Sequence, residues 1–131
     1  MINNPKEIRE NIIQVSNMSV RGNSVHGAEI SCYLKNCSKT KTINYVELIF
    51  EFYDGVGSVL KNDIGGRTQA GVRYTGPLNP GKSSGKVESG AIFYNDSING
   101  YLLKEIVITY SDGTKLTLSA YESAYAEGDF K

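Results

Sequence analysis

The chain has 131 residues, 40% hydrophobic and 21% charged, with 14 Lys and Arg balanced by 14 Asp and Glu for a formal net charge of zero. That length makes one domain, 1–131, which buries roughly two thirds of its unfolded surface and so builds a core without metals or disulfides. Neutrality argues against a nucleic-acid binder, no apolar run reaches the roughly 20 residues of a membrane span, and the polar start has no signal-peptide h-region.

Residues 1–11 are polar and expected to be peripheral. Ile12 to Val20 is apolar except at Ser16-Asn17, which predicts a first strand with a kink or bulge, followed by a turn at Arg21-Gly22-Asn23-Ser24. Ala28, Ile30, Cys32 and Leu34 then share one strand face, with Glu29, Ser31, Tyr33 and Lys35 opposite. After a loop at 36–41, Val46, Leu48, Phe50 and Phe52 alternate with Glu47, Glu51 and Tyr53, Ile49 being the only aliphatic on the second side. This is the predicted central strand of the core.

Asp54-Gly55-Val56-Gly57 is turn-like, and Ser58-Val59-Leu60 reads as a short strand behind it. Following the loop at 61–66, Thr68 to Thr75 predicts a less apolar strand at a sheet edge. The segment Gly76-Pro77-Leu78-Asn79-Pro80-Gly81 carries two prolines that a central strand would not tolerate. Gly85 to Tyr94 alternates weakly, and 95–100 is a connecting loop. Leu102, Ile106, Ile108 and Tyr110 are expected on one face, with Leu103, Val107 and Thr109 on the other. Ser111-Asp112-Gly113-Thr114 makes a tight hairpin, and Leu116 and Leu118 continue the pattern. The tail, 120–131, reads as a frayed end or, from Tyr121 and Tyr125, a short helical turn.

Seven or eight short strands without helical patterns between them predict an all-β fold, an immunoglobulin-like antiparallel β-sandwich. With no Trp in the chain, its core must be aliphatic and Phe-based. Cys32 and Cys37 lie an odd number of residues apart, which disfavours a bridge along one strand, although the turn-like Lys35-Asn36-Cys37-Ser38-Lys39 leaves one open. Free thiols are expected, with Cys32 a small core residue. Nine Tyr suit half-buried strands or a recognition surface.

Phe50-Glu51-Phe52-Tyr53-Asp54 resembles the F-x-L-Y-D motif of the FxLYD domains, with Phe52 where that family usually has Leu. Lys35-Asn36-Cys37-Ser38 is similar to its K-N-x-S turn, and Leu78-Asn79-Pro80-Gly81 to its L-x-P-G segment. A nearer likeness is to a related, uncharacterised bacterial domain family. It is carried by Tyr53 to Gly57, Thr75 to Gly81, Tyr94-Asn95 and Tyr110 to Thr114. The resemblance covers about Ile30 to Leu118. It implies an immunoglobulin-like domain of a bacterial or bacteriophage protein, usually of the cell envelope, and it lends no catalytic residues or cofactors.

The residues themselves offer little chemistry. The single His26 lacks zinc or triad partners in its surrounding sequence, the cysteines lack CxxC spacing, and the Gly-rich turns match no phosphate-binding fingerprint. Asp54, Asp63, Asp96 and Asp112 read as turn formers rather than as a calcium site. No enzyme, metal or cofactor is expected. Arg67, Arg73 and Tyr74, together with Tyr94, are the candidate binding residues, since Arg and Tyr dominate interface energies. They flank an edge strand open to a protein partner or a second copy, unless Gly71, Arg73 and Pro77 merely guard that edge. The expected function is a non-catalytic protein-binding module. The alternatives are a small intracellular effector that inhibits a host protein, and a small-molecule binder or enzyme. A chain complete from Met1 would be cytoplasmic, and one that had lost a leader would be secreted or in the envelope.

Overall fold

The computed structural model describes the backbone of residues 11–125 and 127–128 and the side chains of residues 11–120. Eight strands follow one another: β1 (Ile13–Gly22), β2 (Gly27–Asn36), β3 (Ile43–Tyr53), β4 (Gln69–Leu78), β5 (Ser83–Tyr94), β6 (Gly100–Tyr110), β7 (Lys115–Tyr125) and the two-residue β8 (Glu127–Gly128). They form two sheets, in the orders β5-β2-β1-β8 and β4-β3-β6-β7. Every pairing is antiparallel except the short β1–β8 contact. The chain is an all-β sandwich with the strand succession of an immunoglobulin fold, β4 taking the extra place beside the third strand.

Alternation explains the core. Ala28, Ile30, Cys32 and Leu34 of β2 face Val46, Leu48, Phe50 and Phe52 of β3, and all eight are buried. Phe52 stacks on Phe93 of the opposite sheet at 4.5 Å between centroids and lies 6.3 Å from Phe50, so one aromatic column ties the layers together. The expected bulge in β1 falls between Ser16 and Ser19, where Asn17 adopts a φ of 52°. It switches the inward residues from Ile13 and Val15 to Met18 and Val20.

A second bulge corrects the expected face of β6. Ile49 pairs with Glu105 but Phe50 pairs with Leu103, so Lys104 is an extra residue in the ladder. The phase flips there: Tyr101 and Leu103 join Ile106, Ile108 and Tyr110 in the core, whereas Leu102 is only half-buried. Three further expectations change. Ser58-Val59-Leu60 forms only a single bridge, Tyr53 to Val59, because a tight turn leaves it no length to pair. β4 runs through Pro77 to Leu78, since an edge strand has no outer neighbour that needs the missing N–H. The backbone of 121–125 continues β7, with Tyr125 opposite Gly100, in place of a helical turn. Residues 1–10, 126 and 129–131 lie outside the described residues.

Candidate functional site

The outer face of β3 carries the groups on which a binding site can be built. Tyr45, Glu47, Ile49, Glu51 and Tyr53 point away from the core, and β4 sets Arg73 opposite Glu47, Gly71 opposite Ile49 and Gln69 opposite Glu51. Arg73 is exposed, and its guanidinium carbon sits 4.0 Å from the centroid of the Tyr45 ring. A stacked cation over an exposed tyrosine forms a flat, pre-ordered, amphipathic tile. Next to it Gly71 leaves the top of Ile49 uncovered, since a side chain there would rest against Ile49 Cδ1.

Behind this tile lies a polar knot. Glu51 is 9% exposed although its backbone sits on the outer face. Its Oε1 accepts from the Tyr53 hydroxyl at 3.0 Å, and its Oε2 accepts from Gln69 Nε2 at 3.3 Å and Lys104 Nζ at 3.2 Å. The bulge aims Lys104 here, so the residue that breaks the β6 pattern also supplies the counter-charge. Burial alone would raise the Glu51 carboxyl. The hydrogen bonds from Gln69, Lys104 and Tyr53, with the charge of Lys104, outweigh it and hold the group below its ordinary value. Burial and the neighbouring carboxylate push the Tyr53 hydroxyl up. Both Glu51 oxygens are committed, so the knot locks β3, β4 and β6 together rather than offering a reactive group.

The β4 edge is the more regular of the two that the side chains describe well. From Gln69 to Thr75 it follows β3 residue for residue, whereas β5 meets β2 with three register shifts. An irregular edge resists pairing with another chain, and a straight one invites it.

The four candidate residues do not converge. Arg73 is exposed on the outer face, while Tyr74, one residue on, turns inward and packs partly buried against the core. Tyr94 ends β5, where its N–H donates to Asn62 Oδ1 and its carbonyl accepts from Asp63 N. Arg67 is exposed and closes the same loop, its carbonyl accepting from Asn62 N. Arg67 and Tyr94 therefore both brace the β3–β4 loop, which carries exposed Ile64 between Asn62 and Arg67, and Arg73 lies further on, within β4. The Tyr45 partner and the Glu51–Lys104 knot escape sequence reading because each needs a cross-strand register.

His26 sits in the β1–β2 turn with a φ of 62°, its N–H donating to Asn23 O. Both cysteines are free, and burial pushes the Cys32 thiol up to about 11. Among the described residues no group of three His, Cys, Asp or Glu could hold a metal ion, and no helix is long and apolar enough to cross a membrane. Two shallow depressions of about 370 Å³ lie elsewhere. One is over β1, β2 and β5, lined by Arg21, Glu29, Lys86 and Glu88, and the other is beside Cys37 and Pro80. In comparisons with known proteins, the chain matches no family model and no curated protein sequence.

Proposed function

We propose that the protein is a non-catalytic binding module, an FxLYD-like immunoglobulin domain of a bacterial or phage protein. A protein partner would engage the β4 edge and the adjoining outer face. The observation that carries this reading is the straight edge from Gln69 to Thr75 beside the Tyr45–Arg73 tile. A partner strand added there gains main-chain hydrogen bonds, and the tile supplies side-chain selectivity. The family reading draws support from the placement of its motif. Phe50 and Phe52 fill the core of β3, and Leu78-Asn79-Pro80-Gly81 closes β4 into β5. A non-catalytic role draws support from Glu51, whose carboxylate is spent on structure.

The test is affinity capture from the native host with wild-type protein and Arg73→Glu, alongside sedimentation of the isolated protein. The substitution is expected to lose a partner that the wild type retains, or to convert a dimer to a monomer. If Arg73→Glu recovers every partner and sediments as the wild type does, the edge is not the interface.

A further inference from the structure

We infer that one pole of the sandwich is a docking surface for an anionic lipid membrane, independent of the β4 edge. The loops 37–42, 79–82 and 111–114 lie together at this pole. Asn36 N donates to Lys82 O, Ser111 N donates to Thr42 O, and Lys35 pairs in register with Ser83. Lys39, Lys41 and Lys82 lie on these loops, while Lys35 and Lys115 stand at the adjoining strand ends. All five are exposed, and among the described residues of these loops and strand ends Asp112 is the single acid. Asp112 is engaged by Lys41 at 3.7 Å, and Lys41 also sits 4.9 Å from the centroid of the Tyr110 ring. Lys35, Lys39, Lys82 and Lys115 have no carboxylate partner within ion-pair distance among the described residues. The described residues of this chain of zero net charge therefore present a basic cap that Asp112 neutralises only in part, assembled from segments far apart in sequence.

The chemistry of the cap selects its partner. Among the described residues every cation in it is a lysine, a hydrated point charge without the planar fork that reads a phosphate bidentately. The large exposed apolar residues, Val25, Tyr33, Tyr45, Val56, Val59 and Ile64, all lie off these three loops. With Tyr110 buried beneath Lys41, the described residues of the cap expose no aromatic platform on which single-stranded bases stack and no Tyr, Trp or Arg anchor of a protein hot spot. Loop tips bearing diffuse positive charge suit the plane of anionic headgroups, which attracts clustered lysines and is screened by salt.

The test is co-sedimentation of the whole chain with vesicles of phosphatidylcholine alone or mixed with phosphatidylserine, across a salt titration. Binding is expected only to the phosphatidylserine vesicles and should vanish as salt rises. The double substitution Lys39→Gln/Lys82→Gln should weaken it about 25-fold, at about fivefold per lysine. Lys61→Glu, which changes net charge equally but lies on the β3–β4 loop, should leave it within about twofold. Three results would overturn the inference: equal binding to both vesicle types at low salt, equal loss in the two variants, or tighter binding to duplex DNA than to the anionic vesicles.

Discussion

Asn36 is fully buried, and its side chain joins three segments at the basic pole. Nδ2 donates to Lys41 O at 2.8 Å and to Leu78 O at 2.9 Å, and Oδ1 accepts from Ser38 N at 2.9 Å. Replacing Asn36 by Ala strands the Leu78 carbonyl away from water, at a cost of about 1–3 kcal/mol, while the two more accessible partners lose about 0.5–1 kcal/mol each. Allowing for partial relaxation, Asn36→Ala should cost about 2–4 kcal/mol. At about 4 °C per kcal/mol for a domain of this size, Tm falls by about 8–16 °C.

Asn36→Asp keeps the shape but turns a double donor into a second acceptor facing two carbonyls, and it buries a charge. Its folded pKa must rise above the unfolded value of about 3.9, so the folded state holds its proton longer than the unfolded chain does. Stability should therefore fall as pH rises from about 3.9 through the raised folded pKa, leaving Asn36→Asp less stable than Asn36→Ala at neutral pH. Urea unfolding of the three proteins at acid and neutral pH reads both effects. An Asn36→Ala protein within about 0.5 kcal/mol of wild type, or an Asn36→Asp protein indifferent to pH, would refute the reasoning.

Phe52→Ala empties the aromatic column and should cost about 3–5 kcal/mol, whereas Phe52→Leu should cost less than about 1.5 kcal/mol; chemical denaturation separates them. The Glu51 carboxyl is held low in the fold, so its contribution is present above the unfolded value of about 4.3 and lost as pH falls through the folded one. Lys104→Met should move that loss to higher pH, and Glu51→Gln should flatten the acid limb of a thermal-melt series. Native protein should expose one thiol, Cys37, to an aromatic disulfide reagent, with Cys32 reacting only after denaturant is added, because burial holds its thiol protonated. Two fast thiols in the native state would contradict the packing of β2.

What the sequence determined by itself was local. Two-residue alternation in β2 and β3 named the core-facing residues, Gly and Pro marked the turns, and the weak pattern of Thr68 to Thr75 marked an edge, because these properties depend on neighbours in the chain. The phase of β6 was not legible: Leu102 and Leu103 compete for the same face, and only pairing with β3 decides that Lys104 is the extra residue. The same register carries Lys104 to Glu51 and Arg73 beside the Tyr45 ring, so the polar knot and the outer tile belong to the tertiary structure. The basic cap is the clearest case. No run of like charges announces it, because its lysines are shared among separate loops, and only the sandwich gathers those loops at one pole.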